Sequence, residues 1–490
     1  MTPARPLMAD RGLRADSGLR ALGPHMRFAG AVAAMLLLTC LLIAVTLSAA
    51  ATTPALMILP LVAAILLIAG LILYQACRGN RRALIGVLMT LVFVNDALFR
   101  VREPGDIGLD WQNAMKFALW GAAGLIGVCH WRSALPVWRT GAARWLLVYL
   151  GYALLSSMYS ASPMYSFGTS FGLLSMALFA AALASTLDDR DILLPFALSL
   201  WLFVLVGWVV YYAVPDLGRS LFITAQNTVV ERICGLAGQA NALGCSLAVL
   251  LAITFLLWQR GMISLWLAGL LGGTALFTLM IADSRTSLLA VAAGVFAVLL
   301  RRSLWRVALA MLGTAGLAVL LIVTPVSSLL RITGGLSRSG DPTELFTLTG
   351  RTDIWEFAWE KIVLNPWVGY GYNSSKFILP QFDGLPGLQI DEAHNMLLQN
   401  LLAVGIVGTI PLLLLFVQMI TDFVRRPYAG RDVFTFLDLI WGITVAGAFG
   451  STPTVMSLAT FCGIAMAARA RAQAAPARPV LNTFPVLARV

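Results

Sequence analysis

Charge is what this sequence has least of. Asp, Glu, Lys and Arg together supply only 12% of its 490 residues, about half the quarter usual in soluble domains. Hydrophobic residues reach 59%, and the mean hydropathy is +0.85. That balance excludes a string of soluble domains and defines a membrane protein. Cysteine is also scarce. The six residues, Cys40, Cys77, Cys129, Cys234, Cys245 and Cys462, are scattered and include no CxxC pair. The three histidines, His25, His130 and His394, are far apart. A disulfide framework or zinc site is therefore not expected, and cysteine is expected to serve as a small buried hydrophobe. No carboxylate pair has metal-binding spacing, so neither a metal nor another cofactor is expected. The lack of a glycine-rich P-loop argues against ATP. No internal repeat is visible.

What the chain has in abundance is apolar runs long enough to cross ~30 Å of hydrocarbon. They fall near 28–50, 54–77, 83–99, 113–130, 143–159, 165–187, 192–214, 236–258, 262–282, 285–300, 303–325, 394–421, 434–450 and 453–469. The short last two are alternatively one long or re-entrant element. The expected fold is an all-α polytopic membrane protein. "LSAAA" at the end of the first run imitates a signal-peptidase site, but the run is too long for a signal-peptide core and reads as a retained helix. The expected organisation is a cytoplasmic tail over 1–27, a transmembrane bundle of about eleven helices over 28–325, an outer loop over 326–393, further spans over 394–469 and a cytoplasmic tail over 470–490.

With the N-terminus placed in the cytoplasm, 23 of the 34 basic residues fall on the cytoplasmic side, and the outer side holds 11 basic against 15 acidic residues. This is the positive-inside pattern. The net charge of +11 is then topological, its partner is the lipid bilayer, and nucleic acid drops out.

The outer loop is too long for a simple connection, and long loops are functional or disordered. Its sequence argues for order. In "GRTDIWEFAWEKIVLNPWVGYGYNSS", Ile354, Trp355, Ala358, Trp359, Ile362 and Val363 recur at helical spacing, with Asp353, Glu356, Glu360 and Lys361 on the other faces. The spacing predicts an amphipathic helix over 353–364, started by Thr352 or Asp353, stopped by Asn365-Pro366 and lying against the bundle or the lipid interface.

Four outer-side residues are candidates for chemistry. His394, in "DEAHNMLLQN", stands at the mouth of a span. The ordinary reading of such a histidine is a cap or an interfacial residue. Asp391 and Glu392 just before it favour a base oriented by a carboxylate, and Asn395 adds a hydrogen-bonding group. The helix N-terminus opposes a charged imidazole and the acids favour one. Arg285 lies in a tight turn, "IADSRTSLLA", where it needs a partner; Asp283 offers a structural ion pair as the alternative. Arg351 lies on the same helical face as Trp355, Ala358 and Ile362. Arg232 stands before Gly235, Gly238 and Asn241 in "ERICGLAGQANALG", where interfacial anchoring competes with ligand contact. If the arginines and the histidine converge, they form a site for phosphate, whose oxygens suit the guanidinium fork, beside a base that could activate a hydroxyl.

These stretches resemble the O-antigen ligase and polymerase superfamily of bacterial inner-membrane enzymes. The matching features are "RICGLAGQANALG", "SRTS" with Arg285, "GRTDIW" with Arg351, "NPWVGYGYN", and "AHNMLLQNLLAVGIVG" with His394 and Asn395. They span roughly residues 232 to 410, and their order and spacing are more specific than any one of them. The resemblance implies a C-type glycosyltransferase-like fold with about 12–14 transmembrane helices and a large helical periplasmic loop over the active site. It implies transfer of a glycan from an undecaprenyl-diphosphate carrier to an acceptor glycan or lipid-linked saccharide, without a metal or nucleotide sugar. Other polysaccharide assembly and export proteins are the accessory partners it suggests. Arg285 and Arg351, with Arg232 as a third arginine, would bind the diphosphate, Asn241, Asn395, Glu392 and Asp391 would support the site, and His394 would act as base or orient the acceptor. "GRTDIW" followed by "PWVGYGY" leans toward exopolysaccharide polymerases over ligases acting on lipid A core, with pilin-type protein O-glycosyltransferases third. A flippase or transporter is the rival of another class. It predicts charged or broken helices near the midplane and no structured outer loop.

Overall fold

The computed structural model describes residues 58–100, 110–223, 229–300, 351–382, 390–425, 449–450 and 452–474. The expected spans near 28–50 and 303–325, and nearly all of that at 434–450, lie outside the described residues, as do the tail over 1–27 and residues 475–490 of the other. The chain divides into two compact units, Met1–Gln75 and Ala76–Val490. The described part of the first is apolar helix, the start of α1 (Ile58–Cys77).

The second unit is a helical bundle. Its elements are α2 (Arg81–Asn95), α3 (Trp111–Cys129), α4 (Trp131–Trp138), α5 (Gly141–Leu155), α6 (Pro163–Thr186), α7 (Asp189–Ala213) and the short α8 (Pro215–Gly218). There follow α9 (Ala240–Gln259), α10 (Leu265–Ile281), α11 (Arg285–Leu300), α12 (Arg351–Leu364), α13 (Ser375–Ile378), α14 (Met396–Arg425) and α15 (Val455–Ala474). Local chemistry starts several of them. Asn80 Oδ1 accepts from Arg82 N at 3.0 Å, Asp110 Oδ1 from Asn113 N at 2.7 Å and Ser264 Oγ from Leu267 N at 3.3 Å, each satisfying an amide that the first turn leaves unpaired. Among the described residues, Pro163–Thr186, Asp189–Ala213, Ala240–Gln259 and Met396–Asp422 are long and apolar enough to cross a membrane, and Ala64–Cys77 and Leu265–Ile281 are shorter apolar helices.

Helix α6 is the centre of the bundle. Its buried face is built from small residues, including Gly168, Ser170, Gly172, Ala177 and Ala180. Apolar surfaces in lipid gain little from hydrophobic burial, so helices there associate by close approach over such residues. A Cβ at Gly127 of α3 would sit 2.5 Å from Leu178 of α6. Polar ties close both ends. At one end Asp189 pairs with Arg260 at 2.5 Å and with Arg469. At the other, Asn95 donates to Pro453 O at 2.8 Å and accepts from Trp120 Nε1 at 2.9 Å, while Asp96 accepts from Val455 N at 3.1 Å at the start of α15.

Two expectations need correction, and one element adds to them. Ahead of α9, β1 (Arg219–Ile223) pairs antiparallel with β2 (Val229–Ile233), a two-stranded sheet beside the helices. Cys234, Cys245 and Cys462 are buried, but Cys129 is exposed. The outer amphipathic helix forms as α12 and stops before Asn365-Pro366, yet its buried stripe is narrower than the periodicity predicts. Ile354, Ala358 and Ile362 pack with Ile378, Leu379, Ile390, Ala393 and Leu402, whereas Trp359 is 54% and Val363 59% exposed. Only one line of residues at i, i+4 and i+8 meets the ridge of α14.

The segment that follows α12 docks into a break in α14. Gly405 interrupts that helix at φ 61, ψ −168, a conformation essentially confined to glycine. The break would leave backbone groups unpaired inside an apolar span, which is costly. Residues 366–371 supply the partners. Tyr370 N donates to Leu402 O at 2.9 Å and Gly371 N to Ala403 O at 2.7 Å, while Ile406 N donates to Pro366 O at 2.9 Å and Val407 N to Trp367 O at 3.1 Å. The approach is so close that a Cβ at Gly405 would lie 2.4 Å from the Trp367 carbonyl, and one at Gly369 2.7 Å from that of Ala403.

Candidate functional site

This docking fixes the loop that carries His394. Ala393, fully buried, is held through both of its backbone polar groups: its carbonyl accepts from Trp355 Nε1 at 2.8 Å, and its N–H donates to Gln399 Oε1 at 2.9 Å. Gln399 in turn donates to Ser375 Oγ at 2.5 Å. On the other side Asn395 caps α14, its Oδ1 accepting from Leu397 N at 3.0 Å and Leu398 N at 3.2 Å. The hydrogen-bonding oxygen that the sequence set beside His394 is thus engaged as a helix cap. His394 lies between these two anchors, half-buried, with φ 50.

That backbone is uncommon. Among the described residues, the non-glycine residues with left-handed φ are Asp283 at 45°, Asn373 at 58° and His394 at 50°. One lies two residues before Arg285, one ends the "GYGYN" stretch and one is the histidine itself. Such conformations persist where surrounding structure over-determines them, and they concentrate at functional sites.

The acids before His394 face a lysine that sequence reasoning missed. Lys376 Nζ lies 3.4 Å from Asp391 Oδ2 and also hydrogen-bonds Tyr165. Burial disfavours its charge, but Tyr165, Asp391 and Glu392 outweigh burial and hold the ammonium above its ordinary value. Burial, reinforced by the neighbouring Asp391, pushes Glu392 up to about 7, against the opposing pull of Lys376. A carboxyl that exchanges its proton near neutrality therefore lies two residues before His394, in the same loop. The available signal was composition: Lys376 is one of three lysines among the 34 basic residues.

Arg232 and Asn241 gather around the turn before α11, at which Arg285 stands. Arg232 is 6% exposed. Its Nε donates to Ala282 O at 2.8 Å and its Nη2 to Asp283 O at 3.0 Å and Asn241 Oδ1 at 3.2 Å. Arg232 and Asn241 thus brace the turn that delivers Arg285, and the bulk of the guanidinium faces protein. Gly244 makes room for the same turn, since a Cβ there would lie 2.4 Å from Ser284 Oγ. Arg285 opens α11 and Arg351 opens α12; their side chains lie outside the described residues. The structure therefore assembles the candidates in two sets. One is Asp391, Glu392, His394 and Asn395 with Lys376, and the other is Arg232 and Asn241 with the turn before Arg285.

Fold and composition together define an all-α polytopic membrane protein whose polar candidates sit in loops at helix ends. Residues 270–413 match the family model described as O-Antigen ligase, a match over part of the chain that supports its likeness to the O-antigen ligase/polymerase superfamily. The match contains Arg285, Arg351, the break at Gly405 and His394, and it supports glycosyltransferase chemistry of the O-antigen ligase/polymerase type. The comparison with curated proteins gave no significant match.

Proposed function

We propose that this chain transfers a glycan from an undecaprenyl-diphosphate donor to an acceptor sugar hydroxyl at the periplasmic face of a bacterial inner membrane. Polymerisation of a surface polysaccharide or exopolysaccharide is the favoured outcome, and ligation to lipid A core is the second. The observation that carries this reading is the posture of His394: an imidazole in left-handed backbone, clamped on one side through Ala393 and on the other by the Asn395 cap. A rigidly held base can receive a proton in one geometry only.

In this mechanism His394 takes the proton of the acceptor hydroxyl. The acceptor oxygen bonds to the anomeric carbon as that carbon's bond to the diphosphate breaks. Arg285 and Arg351 stabilise the charge developing on the diphosphate through paired hydrogen bonds. Arg232, proposed from the sequence as a third phosphate ligand, acts by holding the turn before Arg285. Glu392 and Asp391 set the local field at the imidazole, and neither a metal nor a nucleotide sugar takes part. The break in α14, a feature that a transporter would also have, supports the enzyme reading, because Leu402 O, Ala403 O, Ile406 N and Val407 N are all bonded to residues 366–371 instead of facing an ion path.

The test is His394→Ala. General-base loss lowers rates by roughly 10²–10⁴-fold, so polymer or ligated product should disappear while the protein still folds and inserts. Near-normal product at matched expression would reduce His394 to a capping residue.

A further inference from the structure

The loop that docks at Gly405 runs on into two residues that the mechanism leaves without a role. Asn373 is 1% and Ser374 0% exposed. Both amide atoms of Asn373 and the Ser374 hydroxyl are buried without a hydrogen-bond partner. Native chains keep few such groups, because the low dielectric that strengthens a paired polar group penalises an unpaired one. The flanking residues are fully provided for. Tyr372 N donates to Ser156 Oγ at 2.8 Å, Tyr372 O accepts from Ser166 Oγ at 2.6 Å, and Ser375 Oγ accepts from Gln399 at 2.5 Å. Over residues 372–375 the polar accounting fails at Asn373 and Ser374, and the Asn373 backbone is also left-handed, at φ 58.

The place of this failure is informative. On one side the Tyr372 phenol lies within the electrostatic reach of Glu392 and Tyr165. On the other, Ser375 connects through Gln399 to Ala393, and Lys376 pairs with Asp391. On their C-terminal side Asn373 and Ser374 are thus tied to the His394 loop, through Ser375 and Gln399 and through Lys376 and Asp391.

We propose that Asn373, assisted by Ser374, binds hydroxyl groups of the glycan during transfer, an inference that rests on the transferase reading above. Donor and acceptor chemistry selects the ligand. The amide presents one acceptor oxygen and two N–H donors, and a serine hydroxyl both gives and accepts. A diphosphate offers only acceptors and would leave Asn373 Oδ1 unpaired. Neighbouring sugar hydroxyls satisfy both atoms. The Asn373 amide is closed to solvent, so binding requires its surroundings to give way.

Asn373→Gly separates this role from a structural one, since glycine removes the unpaired amide and accepts the left-handed φ without strain. The purified variant in detergent should melt at the wild-type temperature or above. In the native bacterium, with the variant as sole copy, polymerised or ligated product should fall on the order of tenfold, the effect of losing one or two hydrogen bonds in the transition state. Lipid-linked donor should accumulate, and Ser374→Ala should follow with a smaller effect. A lower melting temperature, or failure to accumulate, would mean that the amide is paired in the folded chain and would overturn the proposal. So would full transfer by Asn373→Gly at matched expression, or by Asn373→Asp, which keeps the shape but replaces the donors with a second acceptor. His394→Ala run in parallel isolates the cause: if it is inactive while Asn373→Gly is fully active, only the Asn373 assignment fails. If His394→Ala transfers normally, the chemistry assigned to His394 fails with it.

Discussion

Replacing Gly405 by alanine should undock the 366–371 segment from the span that begins beside His394. Alanine at φ 61, ψ −168 occupies a region nearly closed to L-residues, at a penalty of about 1–3 kcal/mol. Its Cβ would lie 2.4 Å from the Trp367 carbonyl carbon and oxygen and 2.5 Å from Val368 N. All three are backbone atoms, so no rotamer change relieves the clash, and overpacking of this kind typically costs about 1–3 kcal/mol. Moving the strands of chain apart instead sacrifices Ile406 N to Pro366 O and Val407 N to Trp367 O, each worth about 1 kcal/mol and more where water cannot replace it. Strain and lost bonds partly substitute for one another, so the net effect is roughly 3–6 kcal/mol. Such a loss removes most of the docked population. The variant should show a lower melting temperature in detergent, faster proteolysis between residues 366 and 382, and little transfer. Gly369→Ala meets the Ala403 carbonyl at 2.7 Å and should behave alike, with the double variant no worse than the sum. Gly273→Ala is the control, because its Cβ would meet nothing within 4 Å. Wild-type melting and transfer in Gly405→Ala would refute the docked arrangement.

At the proposed donor site, Arg351→Lys should weaken transfer substantially and Arg351→Ala more so, because lysine offers a point charge where the diphosphate needs a fork; full activity in Arg351→Ala would remove that residue from the site. Arg285→Ala should stay inactive when Asp283 is also neutralised, whereas rescue in the double variant would reveal a structural ion pair. Glu392 predicts a pH dependence. Its carboxyl is raised from 4.5 to about 7, so the folded chain holds the proton more tightly than the unfolded chain. The resulting stability is fully present below about pH 4.5 and is lost as pH rises through about 7, by at most about 3 kcal/mol. Melting curves across that window should slope downward for the wild type and flatten for Glu392→Gln; parallel slopes would show that other groups carry the effect.

What the sequence by itself determined is what depends on neighbours along the chain. Apolar runs long enough to span a bilayer marked the helices, because most residues of a span face lipid or other apolar side chains. The "RTDIWEFAWEKIVL" period marked α12, and Asn365-Pro366 marked its end, because helix caps and stops act within a turn. The stretches around Arg285, Arg351 and His394 were legible as motifs for the same reason. Tertiary structure alone decided the rest. Gly405 reads as an ordinary glycine in an apolar run until the 366–371 segment arrives to pair the groups it exposes. Trp359 and Val363 fit the helical stripe as well as Ile354 does, and only the position of α14 chose between them. Gln399, Trp355 and Lys376 carry no local signal of their partnership with the 391–394 loop, and Arg232 cannot be told from a phosphate ligand until the carbonyls of Ala282 and Asp283 are seen at its guanidinium. Each of these roles is a contact between segments distant in the chain, and periodicity and spacing record only what lies within a few turns of the same helix.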